Sequence, residues 1–265
     1  MTDAVKLTVD AGIAVVELNQ PERRNALTAE IKAGLLDISE RLARDGGLRA
    51  MVLTGAGGVF CAGGDLKKML ERHAGGEAAG AEHQLARMGE THTWLRAFRD
   101  LSVPVITAVD GPAFGAGFGL ALLGDIVLAS DRARFSASFA KLGVVPDAGL
   151  MWSLPRVVGL QRARALFYTA RTLSAEEALS LGIALEVHPA EALRPRALDI
   201  ASQMAQASPL AFRLTKEITA RAMECDSDTI LALEAQAQAV CLTSAYHRDA
   251  LSRFAAKQPP RFSFE

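Results

Sequence analysis

The chain has 265 residues, enough for one large domain or two modest ones, so it needs no disulfide or metal staple to close a core. Half of the residues are hydrophobic and 22% are charged, which excludes disorder, collagen-like repeats and coiled coil as the dominant state. With 29 Lys plus Arg against 30 Asp plus Glu, the formal charge of -1 gives no net pull toward nucleic acid or an anionic membrane.

Residues 5–9 and 13–18 read as paired strands, the second carrying Ile13, Val15, Val16 and Leu18. After the turn chemistry of Asn19 to Pro21 a helix is predicted from Thr28 as N-cap, with Ile31, Leu35, Leu36 and Leu42 at helical spacing. Residues 50–54 form a fully apolar strand, 55–64 a Gly-rich loop, and Asp65 opens a helix to about Arg72. The stretch Gly75 to Gly89 has no clear period and reads as a mobile loop or frayed helix, either a lid or a variable surface insertion, before a helix over 91–99. The order of strand, Gly-rich loop and helix then returns at 103–109, 110–115 and 116–124, followed by a short buried strand over 126–129. Repeated units of this kind argue an α/β fold.

The second half is mostly helical. Ser174 with Glu177 fits a capping box, and Leu181-Gly182 ends that helix. Helices also fit 191–206, 208–223 and 228–256, the last carrying Ile230, Leu233, Val240 and Phe254 among polar residues. So long a helical tail either packs on a partner subunit or folds back on its own core.

Cys61, Cys225 and Cys241 are widely separated and lack CxxC spacing, so neither a disulfide framework nor a zinc site is predicted, and a cytoplasmic location is expected. The opening MTDAVKLTVD has no charged segment leading into an apolar one. The longest apolar stretch, Gly111 to Gly124, is short, Gly-rich and flanked by Asp110 and Asp125, so neither export nor a membrane span is predicted. His73, His83, His92, His188 and His247 show no HxxxH or HExxH spacing, and no metal is expected. No basic stripe with interleaved aromatics appears, which disfavours nucleic-acid binding.

The two Gly-rich loops, Gly55 to Gly64 and Gly111 to Gly119, occupy equivalent places after apolar strands. Neither fits the GxGxxG dinucleotide fingerprint, and no GxxxxGK[ST] or GxSxG occurs. Each is either a simple connection or a turn whose helix N-terminus offers unpaired backbone N–H groups to a ligand. Two such donors converging on one carbonyl oxygen make an oxyanion hole.

The strings Pro21-Glu-Arg-Arg-Asn-Ala-Leu27, Phe60-Cys-Ala-Gly-Gly-Asp-Leu66, Gly111-Pro-Ala-Phe-Gly-Ala-Gly-Phe-Gly-Leu120 and Phe139-Ala-Lys-Leu-Gly-Val-Val-Pro-Asp-Ala-Gly149 resemble the crotonase (enoyl-CoA hydratase/isomerase) superfamily, as do Leu173-Ser-Ala-Glu-Glu-Ala and the closing Phe254-Ala-Ala-Lys257. The resemblance implies a spiral of ββα units over residues 1–200. A helical region over 201–265 would build a homotrimer or a dimer of trimers. It also implies an acyl-CoA thioester substrate, with coenzyme A arriving as part of that substrate and no separate cofactor. Gly64 occupies the family's first oxyanion N–H position and Ala116 the second. Arg23, Arg24, Ala26 and Ala62 fall in segments that cradle CoA. Lys67 and Lys257 lie where the family often places phosphate contacts, the latter to a neighbouring subunit's ligand; each of these cations also reads as an ordinary solvated charge.

The hydratases of this family use two glutamates, and the matching positions here are Gly119 and Phe139, neither of which can move a proton. Asp147 is the nearest surviving carboxylate, and the sequence is similar to the phenylacetate-pathway epoxide and Δ3,Δ2-enoyl-CoA isomerases, where an aspartate at this place shuttles a proton. Pro146-Asp147-Ala-Gly149 is also a good turn in its own right. Enoyl-CoA isomerisation is therefore the expectation. Hydration, other enolate chemistry such as thioester hydrolysis or carbon-carbon cleavage, and a non-catalytic CoA-binding or assembly module are the alternatives. Cys61 reads as a buried filler, Asp65 as a helix cap, and Trp152 and Phe139 as core or acyl-pocket residues.

Overall fold

The computed structural model describes residues 3–74 and 80–264. β1 (Val5–Asp10) and β2 (Ile13–Leu18) form an antiparallel hairpin, and β3 (Ala50–Gly55), β4 (Val105–Val109), β6 (Ile126–Ser130) and β9 (Glu186–His188) add in parallel to give a six-stranded sheet. A smaller sheet holds β5 (Pro112–Phe114), β7 (Arg134–Ser136) and β8 (Thr172–Leu173). The apolar runs of β3 and β4 are buried on both faces, as inner parallel strands require.

Alternation along the strands divides the core. Ala50, Val52, Ile106, Ala108 and Leu128 pack on Leu193, Ala197, Ile200 and Ala201 of α8 (Ala190–Ala205). Their neighbours Met51, Leu53, Val105 and Val109 face the other way, with Ile31, Leu35 and Leu42 of α1 (Ala29–Ala43) in the same cluster. Thr28 caps α1, its hydroxyl accepting the Ile31 N–H at 3.2 Å. Ser174 and Glu177 form the expected reciprocal box at the start of α7 (Ala175–Ser180).

Four readings change. α2 covers Leu66–Ala74, but α3 spans Ala81–Arg99, beginning ten residues before the predicted helix. Residues 81–90 bury little, so no apolar stripe marks a segment whose Ala, Glu, Gln, Leu and Arg favour helix by intrinsic preference. Residues 75–79 of the predicted loop and the side chain of His73 lie outside the described residues. α4 (Ala116–Ala121) stops three residues early. The tail is two helices, α10 (Ser227–Leu242) and α11 (Ala245–Ala255), parted where the Ser244 hydroxyl accepts the His247 N–H at 3.1 Å. α5 (Leu150–Val158) and α6 (Leu160–Thr169), with Pro155 inside the former, were not expected. α9 (Pro209–Thr219), α10 and α11 contain no buried residue.

Candidate active site

The segment after β2 is stitched to the first glycine loop. Asn25, fully buried, accepts the Gln20 N–H at 2.8 Å and donates to the carbonyls of Ala56 at 3.0 Å and Val59 at 2.6 Å. Arg24 and Asn25 both have positive φ, at 53° and 50°, a conformation Asn tolerates better than most residues. This turn aligns Arg24 to Leu27 with the loop: the Ala62 N–H donates to Arg24 O at 3.0 Å and the Leu27 N–H to Gly63 O at 2.7 Å.

The first loop is in turn clamped to the second. The Cys61 N–H donates to Pro112 O and Cys61 O accepts from the Phe114 N–H, each at 2.9 Å. At Gly63, whose φ is 93°, a Cβ would lie 2.4 Å from Phe114 O and 3.4 Å from the Ala116 nitrogen. A Cβ on Gly117 would lie 2.2 Å from Cys61 O. These glycines are required because backbone meets backbone there. The consequence is that Gly63-Gly64 sits beside the start of α4. Neither the Gly64 N–H nor the Ala116 N–H has an acceptor among the described residues, Gly64 being exposed and Ala116 8% exposed.

Asp147 enters on a third turn. Ala148 and Gly149 take left-handed φ values of 52° and 77°, and Asp147 O accepts the Leu150 N–H at 3.0 Å as α5 begins. This turn lies on α4, since a Cβ on Gly119 would come within 2.5 Å of Ala148 O. Oδ1 of Asp147 is buried without a hydrogen-bond partner. Burial raises the carboxyl above its usual range, opposed by the charges of His92 and Lys32. The position of the hydratase glutamate, Gly119, therefore has no carboxylate and no room for one. At the second such position Phe139 is buried, its ring 3.8 Å from where a Gly115 Cβ would be.

Among the residues expected to meet CoA, Arg23, Arg24, Ala26 and Ala62 come together. Arg23 is already engaged, its guanidinium donating to Asp65 Oδ2 at 2.7 Å. Asp65 also accepts the Lys68 N–H at 3.2 Å through Oδ1, which is the expected helix cap. Arg24 and Lys67 are exposed, and their side chains make no hydrogen bond or ion pair with the described residues. Lys257, past the end of α11 with φ 54°, is exposed, and no contact among the described residues joins it to this group.

Trp152 is not a core residue. It is 38% exposed, donates from Nε1 to Glu224 at 2.9 Å and stacks under Arg156 at 4.1 Å. Cys61 is the expected filler: burial pushes its thiol up to about 12, and its Sγ accepts the Gly63 N–H at 3.5 Å. Among the described residues no cluster of three His, Cys, Asp or Glu could hold a metal, and no helix is long and apolar enough to cross a membrane. The role of Asn25 was missed: it lies inside a motif the sequence displays, but only the third dimension shows what its amide joins.

Comparison with known proteins agrees with this architecture. Residues 8–264 match the family described as enoyl-CoA hydratase/isomerase. The chain is 37% identical to the 1,2-epoxyphenylacetyl-CoA isomerase of Escherichia coli K12, covering 99% of each, and 35% identical to a probable enoyl-CoA hydratase of Rhodobacter capsulatus, covering 98% of this chain and 97% of the relative. A solved enoyl-CoA hydratase/isomerase from Cupriavidus metallidurans CH34 superposes with a TM-score of 0.93 at 40% identity, over 99% of this chain and 97% of the other. With both sheets, both glycine loops and the whole helical tail matched, the chain belongs to the enoyl-CoA hydratase/isomerase family, the crotonase-fold enzymes of acyl-CoA thioesters.

Proposed function

We propose that this enzyme moves a double bond along the acyl group of an enoyl-CoA. The N–H groups of Gly64 and Ala116 hold the thioester oxygen, and the Asp147 carboxylate takes a proton from carbon. The C–H electron pair becomes that of a conjugated enolate whose negative charge rests on the held oxygen, and the same carboxyl returns the proton to another carbon. Nothing is oxidised and no group is transferred, so one base suffices and CoA enters only as part of the substrate. A preorganised donor at such an oxygen is worth about 3 kcal/mol of barrier.

The observation that supports isomerisation over hydration is that Gly119 and Phe139 carry no carboxylate, while the turn that bears the partly buried Asp147 fills the space next to Gly119. Hydration requires a base for water and an acid for the α-carbon. Hydration is the competing reading because relatives of similar coverage are named hydratases. Arg23, Arg24, Ala26, Ala62 and Lys67 are assigned to CoA, with Lys257 supplied from a neighbouring subunit. A homotrimer or dimer of trimers is supported by the exposed Met223, Leu231, Val240, Leu242, Leu251 and Phe254 of the tail. Three free cysteines suit a reducing cytoplasm.

The test is Asp147→Asn in a 3-enoyl-CoA assay. Double-bond migration should fall by about 10³-fold with CoA binding intact, the scale of a lost general base. Unchanged turnover removes Asp147 from the mechanism, and faster water addition to crotonyl-CoA by the wild type replaces isomerisation with hydration.

A further inference from the structure

The segment 139–147 meets α4 at both of its ends. At the first end the Phe139 ring stands on the start of the helix, its Cζ and Cε1 lying 3.8 and 4.0 Å from where a Gly115 Cβ would be. Gly115 directly precedes Ala116, which is 8% exposed and whose N–H has no acceptor among the described residues. Backbone fixes the ring there, since the Gly115 N–H donates to Ser136 O at 2.8 Å and the Val144 N–H to Phe139 O at 3.3 Å. At the second end the segment enters the turn of Asp147 and Ala148, and Ala148 O is the atom a Gly119 Cβ would meet at 2.5 Å. The Gly119 N–H donates to Gly115 O at 3.3 Å, so the two ends are held one helical turn apart. Phe139, Ala116 and Ala148 belong to one buried apolar cluster.

A water molecule stays in such a place only if it finds room and polar partners. Partners exist: the Ser138 hydroxyl lies 3.5 Å from the same Gly115 Cβ position, and Oδ1 of Asp147 is buried without a hydrogen-bond partner. Room is what the ring takes away. Resting on the isomerase reading above, we infer that Phe139 is a specificity-determining residue whose ring keeps water from the reacting end. The proton that Asp147 takes from one carbon is then returned to another and is not traded with solvent. Proton leakage and addition of water to the conjugated product are the two side reactions that a dry site suppresses.

Isomerisation of a 3-enoyl-CoA in heavy water tests this, with the ratio of solvent deuterium to retained proton in the product measured per double bond moved. Each exchange replaces the carbon-derived proton on Asp147 by a deuteron from solvent, and nothing is oxidised. The wild type should return most of the original proton. Phe139→Leu, Phe139→Val and Phe139→Ala should raise the ratio in that order, by ~10-fold or more at the last. Phe139→Ala should also add water to crotonyl-CoA faster than the wild type does. The ratio is independent of how fast each variant works, and Phe139→Val carries the test if Phe139→Ala does not fold. Phe98→Ala, which removes another buried ring, from α3, controls for loosened packing and should leave the ratio unchanged. The inference is overturned if the wild-type product is already fully exchanged, if the series leaves the ratio flat, or if Phe98→Ala raises it as much as Phe139→Ala. Absence of any migration by the wild type overturns the isomerase reading itself, and this inference with it.

Discussion

The two glycine turns follow similar strands but are built differently. The turn into α4 is enclosed: all six residues of the helix are buried, and Gly117 and Gly119 meet backbone oxygens at distances no side chain survives. The turn into α2 is open, with Gly64 exposed, an Arg23–Asp65 pair at its mouth and apolar side chains of α2 facing outward. The Ala116 amide is thus set by packing that leaves no freedom, while the Gly64 amide faces solvent. The difference separates a turn made of glycine and tightly packed backbone from one bordered by exposed side chains.

The most severe way to break the enclosed turn is Gly119→Glu, which restores a carboxylate at the hydratase position. A side chain there must displace Ala148 O, 2.5 Å from the Cβ position, and bury a charge without a partner. The expected result is a loss of about 4 kcal/mol in chemical denaturation, with no gain in water addition to crotonyl-CoA. A stable variant that hydrates would mean that the 147–149 turn yields easily.

Next in size is Asn25→Ala, which takes the buried amide donor from two part-buried carbonyls, Ala56 O and Val59 O, and frees the turn that carries Arg24. A loss of about 3 kcal/mol is expected, together with weaker CoA binding. Asn25→Asp keeps one acceptor but cannot donate to the carbonyls and should be nearly as damaging.

The open turn is probed by the paired substitutions Arg24→Ala and Arg23→Ala, read by CoA affinity at two salt concentrations. Arg24 has no partner among the described residues, so its loss should weaken CoA about 10-fold at low salt and less at high salt. Arg23 is held by Asp65, and its removal should have the smaller effect on CoA while costing at most about 1 kcal/mol of stability, as expected for a partly exposed pair.

How much of this was legible in the sequence follows the same division. β3, β4 and β6 announced themselves because their runs are apolar on both faces, and the glycine loops because such contacts admit only glycine; the short β5, β7, β8 and β9, of two or three residues each, carry no such run. Asp147, Gly64 and Ala116 are assigned by resemblance, since a PDxG turn or a small residue after a strand is common anywhere. The first half of α3 hid because it buries almost nothing, and the break at Ser244 because its cap lacks the acidic partner three residues on that Ser174 has. Trp152 was misplaced because an aromatic on a helix says nothing about which neighbour it meets, here Glu224.

The smallest expected effect concerns the cost of holding Asp147 where it is. Its carboxyl is raised above its ordinary value of 3.8, chiefly by burial, so the folded chain binds that proton more tightly than the unfolded chain does. Ionisation therefore works against folding: this contribution is fully favourable below 3.8 and is lost as the pH rises through the folded value. Asp147→Asn removes the ionisation and should be more stable than the wild type at neutral pH, by a margin that shrinks to nothing in acid. Thermal melts of both proteins across this range check the sign. If Asp147 is the base of the proposed isomerisation, the acid limb of that rate should lie above the usual carboxylate value for the same reason, because a base works only once its proton has left. A variant that is less stable at neutral pH, or a margin that does not depend on pH, would show that the carboxylate is held by favourable contacts. Asp147 would then belong with the rigid backbone of the enclosed turn and not with the groups that exchange protons.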